Sequence, residues 1–179
     1  MTDQPGRKPP TVELALVPPG ALEALLAGSL HEASRLTGLA LPPGFLEYGW
    51  LWQYRLDQAR ADESAAPWLV RTVYGLPAAA VVGHAGFHGP PDENGMVEIG
   101  YTIQPEFRRL GYGRAAAVQL IEFAAASPEV TVVRASISPD NVASLALIRS
   151  LGFEQRGEQW DEIDGLELIF ERPPVLAGL

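Results

Sequence analysis

The sequence predicts one mixed α/β domain with a mostly antiparallel central sheet and helices on both faces. Three observations carry that expectation. Short strand-like runs separated by turn residues crowd residues 68–103. An alanine-rich helical stretch, a β-branched run and another helix follow in order, and a closing pair of strands ends near Arg172. The first pattern is an antiparallel meander. The second requires a crossover that lays a parallel strand onto the same sheet.

Thr11 to Leu16 alternates apolar and polar residues, the period of a half-buried strand. Pro18, Pro19 and Gly20 end it, and Leu22, Leu25, Leu26 and Leu30 give Ala21 to Leu30 helical spacing. After Pro42-Pro43 a helix is expected from about Gly44 to Arg60. It carries Phe45, Tyr48, Trp50, Trp52 and Tyr54, aromatics that suit a packed core or a pocket wall. Strands are expected at Trp68 to Tyr74, Ala78 to His88 and Val97 to Ile103, the last two joined by the turn formers Gly89 to Gly95.

Gly113 to Ala126 reads as a helix, Val130 to Ile137 as a strand buried on both faces, and Asn141 to Leu151 as a helix with Gly152 as its C-terminal cap. Phe153 to Trp160 and Leu166 to Arg172 form a hairpin around Asp164-Gly165, stopped by Pro173-Pro174. No repeat or long linker divides the chain. Residues 11–172 are therefore expected as a single domain, with a flexible arm over 1–10 and a tail over 173–179.

A chain of 179 residues can bury roughly two-thirds of its unfolded surface and needs no covalent staples. It contains no cysteine, which removes disulfides, thiolate metal sites and a cysteine nucleophile together. The net charge of −9, with twelve arginines and the single Lys8 scattered along the chain, argues against nucleic acid as a partner, because phosphate neutralisation needs a basic face. Met1 to Pro10 lacks the apolar core of a signal peptide, and no run of about 18 apolar residues occurs. A soluble, cytoplasmic protein with no membrane partner is the expectation. A homodimer is compatible with the sequence, which does not give the oligomeric state.

The most informative stretch is Arg108-Arg109-Leu110-Gly111-Tyr112-Gly113, directly after the strand VEIGYTI and before a helix. Such a turn leaves backbone N–H groups pointing one way at a helix N-terminus, where phosphate or pyrophosphate binds. Glycine permits the close approach, and Arg108, Arg109 and Arg114 add charge. The P-loop signature is absent. Gly111, Gly113 and Ala116 meet a loose dinucleotide fingerprint, but Pro105 to Arg109 intervenes after the strand and too little chain follows for a doubly wound sheet.

Arg108-x-x-Gly111-x-Gly113 resembles the Q/R-x-x-G-x-G/A motif of the GNAT superfamily of N-acetyltransferases. VEIGYTI, then PEFRRLGYGRAA, then Asn141-x-x-Ser144 and Leu151-Gly152-Phe153 resemble most closely the branch containing ribosomal-protein N-terminal acetyltransferases. The resemblance covers roughly residues 68–172. Residues 1–65 lie outside it and are expected to carry substrate selection.

The resemblance implies an N-acetyltransferase with acetyl-CoA as co-substrate and no metal. Its acceptor would be a primary amine on a small molecule or a protein N-terminus, and transfer would be direct, in a ternary complex. It implies that Arg108, Arg109, Leu110, Gly111, Tyr112, Gly113 and Arg114 grip the CoA pyrophosphate. A bulge in the fourth strand, near Tyr101, Thr102 and Ile103, would hold the pantetheine arm and offer N–H groups to the oxyanion. Asn141 is expected as a CoA contact or as a helix cap, the two being equal contenders.

An amine of pKa roughly 10 must lose a proton before it attacks. Glu98, flanked by apolar strand residues beside the thioester segment, is the best candidate base, acting through a water. A solvent-facing or substrate-binding carboxylate is the alternative. His84 and His88 share a face of the neighbouring strand and are weaker candidates; without acidic company at ligand spacing they make no metal site. Many family members place a tyrosine seven residues after the asparagine to protonate the leaving thiolate. Here that position is Ile148, so Ser144, or more distantly Tyr112, is left as the donor. That gap also leaves open a non-catalytic acyl-CoA binding or sensing module on the same fold.

Overall fold

The computed structural model describes residues 9–163 and 165–175; residues 1–8 of the expected arm, Asp164 of the hairpin turn and residues 176–179 of the tail lie outside the described residues. The strands are β1 (Thr11–Leu16), β2 (Arg71–Leu76), β3 (Ala80–Phe87), β4 (Met96–Ile103), β5 (Val132–Ile137), β6 (Glu154–Asp161) and β7 (Gly165–Arg172). They form one sheet in the order β1-β2-β3-β4-β5-β7-β6. Every neighbouring pair is antiparallel except β4 and β5, which run parallel. The meander and the closing hairpin are therefore joined by one crossover, as expected.

The helices are α1 (Pro19–Leu26), α2 (Leu30–Thr37), α3 (Gly49–Ala61), α4 (Tyr112–Ala125) and α5 (Val142–Ser150). Two apolar clusters show that they cover both faces. One joins Val73, Val82, Phe87, Ile99 and Val133 to Ala116, Leu120 and Ile121 of α4 and to Leu145 and Ile148 of α5. The other joins Val70 and Val81 to Leu22, Leu25, Phe45, Trp52 and Leu56 beneath α1 and α3. Small residues on α4 let it lie close to the strands: Ala116, Ala117 and Ala124 are fully buried.

Several expectations needed correction. The stretch Ala21 to Leu30 is not one helix. Gly28 at φ 74° turns the chain out of α1, with Ser29 N–H bonded to Ala24 O, and α2 begins at Leu30. The expected helix from Gly44 begins as a 3₁₀ turn, Pro43–Tyr48, and becomes α-helical only at Gly49. The strand expected from Trp68 starts at Arg71, because Glu63–Trp68 is another 3₁₀ turn, capped by Asp62. β5 alternates in burial rather than being sealed on both faces, since Arg134 and Ser136 share its second face and Arg134 pairs with Glu171 at 2.6 Å. Gly152, at φ 78°, does terminate α5.

Candidate active site

β4 pairs with β5 only from Met96 to Glu98, whereas its register with β3 runs unbroken from Ile99 to Ile103. Beyond Glu98↔Arg134 the two parallel strands part. Glu98 O accepts from His88 N–H and Gln104 N–H donates to Val82 O, so residues 98, 100, 102 and 104 turn their main chain toward β3. By alternation, the main-chain groups of Tyr101 and Ile103 face the opening. The irregularity near this site lies in β3, where Val82 is the extra residue against Val73 and Tyr74, and not in β4 as the resemblance implied.

The opening widens into a cleft of about 830 Å³ lined by Tyr101, Thr102, Ile103, Pro105, Phe107, Arg108, Arg109, Gly111, Gly113, Arg114, Asn141, Ala143, Ser144 and Leu147. Ten of the residues singled out from the sequence meet here. Pro105, Phe107, Ala143 and Leu147 were not among them, although Ala143, Ser144 and Leu147 share one face of α5 by helical spacing.

At the far end of the cleft the loop is shaped by two left-handed residues, Arg109 at φ 60° and Gly111 at φ 94°. Gly111 is the N-cap of α4 and makes no side-chain cap, so the N–H groups of Tyr112, Gly113 and Arg114 open the helix without intrahelical partners. A Cβ on Gly111 would meet Pro10 at 3.0 Å. Arg108 Nε donates to Ile103 O at 2.9 Å and ties the loop to β4, while Arg114 Nη1 reaches Ser150 Oγ at 3.1 Å. Three guanidinium groups around an amide-rich helix start, in a chain of net charge −9, suit a diphosphate. The residues present therefore fit the CoA diphosphate.

Two members of the expected loop do not line the cleft. Leu110 is a surface side chain. Tyr112 is buried and turned toward β2 and β3, its Oη accepting from Ala78 N–H at 3.3 Å, so it is no donor to the cleft.

Asn141 caps α5, its Oδ1 accepting from Ser144 N–H at 3.1 Å. Ser144 Oγ in turn accepts from Tyr101 Oη at 3.4 Å. Burial raises the Tyr101 pKa, and the bond to Ser144 opposes this in smaller part. Ile148 is fully buried in the core and does not line the cleft.

Glu98 sits on the opposite face of β4 from Tyr101 and does not line the cleft. It is the last β4 residue paired with β5, and its Oε1 is 3.5 Å from His88 Nδ1. His84 does not join them. It is packed edge-on against Tyr48, Trp52 and Phe45 with ring centroids at 4.8, 5.0 and 5.7 Å. Burial, with Arg55 adding to it, lowers its pKa to about 4, so it stays neutral and sealed from solvent. Its Nε2 and Gln104 Nε2 are buried without a hydrogen-bond partner among the described residues. His31 lies on α2 and is exposed. Among the described residues no group of three His, Asp or Glu could hold a metal, and no helix is long and apolar enough to cross a membrane.

The fold and this cleft place the chain in a known class. Residues 31–154 match the acetyltransferase (GNAT) domain, and the chain belongs to that family. The match starts at residue 31, so the segment 31–65 is part of the family domain rather than outside it. The chain is 42% identical over 73 residues to the uncharacterized N-acetyltransferase YjdG of Bacillus subtilis, covering 41% of this chain and 44% of that protein. It is 32% identical over 77 residues to the uncharacterized N-acetyltransferase p20 of Bacillus licheniformis, covering 43% of each. The chain thus spans less than half the length of the curated relatives it matches.

Among solved structures, the fold is shared with RimL, a ribosomal alpha-N-protein acetyltransferase in complex with coenzyme A (TM-score 0.62, 17% identity, 91% of this chain and 94% of that one). It is also shared with the microcin self-immunity acetyltransferase MccE in complex with acetyl-CoA and AMP (TM-score 0.63, 18% identity, 91% and 92%). A third is a GNAT-family acetyltransferase from Bacillus anthracis (TM-score 0.60, 14% identity, 91% and 95%).

Proposed function

We propose that this protein is an acetyl-CoA-dependent N-acetyltransferase, moving an acetyl group to a primary amine by direct attack in a ternary complex. The observation that carries the reading is the parting of β4 from β5, which leads straight from the amide-rich start of α4 into the middle of the sheet. A pantetheine arm laid in that opening meets the strand edge of Tyr101 and Ile103. The diphosphate would rest on the Gly111–Arg114 amides and on Arg108, Arg109 and Arg114. Asn141 and Ser144 border the same path from α5.

With no cysteine in the chain, an acyl-cysteine intermediate is excluded and the amine attacks the thioester itself. Glu98 takes the proton from the incoming ammonium through a water, and a main-chain N–H of Tyr101 or Ile103 stabilises the oxyanion. Ser144 is the hydroxyl that faces the departing sulfur. We place the reaction in the cytoplasm, with a small molecule or a protein N-terminus as the acceptor. A net charge of −9 favours cationic acceptors by steering.

A non-catalytic acyl-CoA binding or sensing module is the second reading, favoured by the apolar Ile148. One experiment separates the two. Purified protein is titrated with CoA by thermal melting, then given acetyl-CoA and a panel of polyamines, amino-acid amides and short peptides while thiol release is followed. Turnover on any amine supports the enzyme; a CoA-dependent rise in melting temperature with no turnover supports the module. No rise at millimolar CoA defeats both.

A further inference from the structure

The source of the proton for the departing thiolate can be narrowed by inventory. Arginine keeps its proton at any pH the protein survives, and an asparagine amide is no acid. Among the described lining residues the remaining donors are the hydroxyls of Tyr101, Thr102 and Ser144. Thr102 shares its strand face with Glu98 and Gln104, the side away from α4 and α5. Tyr101 faces the helices: a Cβ on Gly113 would lie 3.4 Å from its Cε2. Tyr101 and Ser144 are also the pair that touch, at 3.4 Å. This is long for two hydroxyls, and such contacts tighten when substrate fills a site.

We infer that Tyr101 and Ser144 form a two-hydroxyl relay that protonates the leaving thiolate, Ser144 giving its hydrogen to sulfur and Tyr101 replenishing Ser144. The inference rests on the acetyltransferase reading above. Ser144 Oγ accepts from Tyr101, which leaves its own hydrogen to point into the cleft. As the C–S bond breaks, its electron pair passes to sulfur and the Ser144 hydrogen follows. The phenolic hydrogen of Tyr101 moves to Ser144 Oγ, and the resulting phenolate recovers a proton from solvent after product leaves. Burial favours the neutral phenol, which keeps the relay loaded and makes a free phenolate costly, so both proton shifts accompany C–S cleavage in one step rather than preceding it. Asn141 fixes the geometry by anchoring Ser144 N–H, and Gly113 gives the phenol ring its space beside the diphosphate loop. The proton path thus comes from β4, where the family position on α5 is filled by Ile148.

The test needs no acceptor. CoA and desulfo-CoA are titrated calorimetrically into the full chain at about pH 9, above the ordinary thiol pKa of roughly 8.5. Wild type is expected to favour CoA by about tenfold, because two hydroxyls in series stabilise the thiolate as charge-assisted donors. Tyr101→Phe and Ser144→Ala are each expected to cut that preference to about twofold or less with desulfo-CoA affinity unchanged, and Ser144→Thr to keep it. With an amine that wild type turns over, each single variant lowers kcat by about tenfold to a hundredfold and the double variant by no more than the worse single. Multiplicative losses, or an intact CoA preference in Tyr101→Phe, overturn the relay. Equal affinity for CoA and desulfo-CoA in wild type overturns it alone, while failure to bind either overturns the acetyltransferase reading as well.

Discussion

His88 Nδ1 lies 3.5 Å from Glu98 Oε1, at the register where β4 gives up its pairing with β5. The Glu98 side chain is 15% exposed and that of His88 is 52% exposed, so the imidazole beside the carboxylate has the freer access to solvent. Replacing Glu98 with Gln is expected to lower kcat by roughly 10²–10⁴ while CoA affinity stays level. His88→Ala should give a smaller loss. Stopped-flow thiol release against pH checks both, and an unaltered profile in Glu98→Gln removes Glu98 as the base.

Gly111, at φ 94°, is the glycine of the turn before α4 where a side chain is least tolerated. A valine there must hold φ 94° and place its Cβ 3.0 Å from Pro10. The backbone cost is about 1–2 kcal/mol, small enough for the sheet to survive. The expected outcome of Gly111→Val is a folded protein whose melting temperature no longer rises with CoA. Calorimetry giving wild-type CoA affinity would show that the loop does something else.

Asn141 caps α5, and a pair of substitutions tests whether its amide also contacts CoA. Asn141→Asp keeps the Oδ1 acceptor for Ser144 N–H and removes the amide donors; Asn141→Ala removes both. Loss of the cap in the alanine variant should cost about 1 kcal/mol, with no loss in the aspartate variant. If CoA affinity falls in both, the amide is a CoA contact. Unchanged affinity in Asn141→Asp leaves capping as its whole contribution.

His84 makes stability depend on pH. Its folded pKa of about 4 lies below the ordinary histidine value of 6.5, so between these values the unfolded chain binds a proton that the folded chain refuses. Stability is therefore full above about pH 6.5 and falls as pH drops toward about 4, by an amount on the order of 3 kcal/mol. His84→Leu should flatten this part of the stability curve. Urea melts across that range check it: an unchanged slope means that other groups cause the acid loss.

The order of strands and helices was legible because it rests on local periodicity, as in the alternation of VEIGYTI and the Ala-rich face of α4. The glycine turn before α4 was legible for the same reason, since Gly111 at φ 94° answers a requirement of the backbone at that point of the chain. Errors came where neighbours decide. Gly28 breaks a leucine-spaced helix that reads as continuous, and Arg134 opens one face of a β-branched strand through Glu171. Tyr112 looked like part of the site but packs against β2 and β3.

The sequence by itself determined that a strand, a glycine turn and a helix follow one another with arginines around the turn, because these are properties of adjacent residues. It also excluded a cysteine nucleophile. Only the tertiary structure decided that β4 and β5 part after Glu98, that Tyr101 meets Ser144 forty-three positions away, and that Ile148 is sealed in the core. Those depend on which strand edges lack partners and how helices lie across the sheet, and no short-range pattern in the chain encodes that.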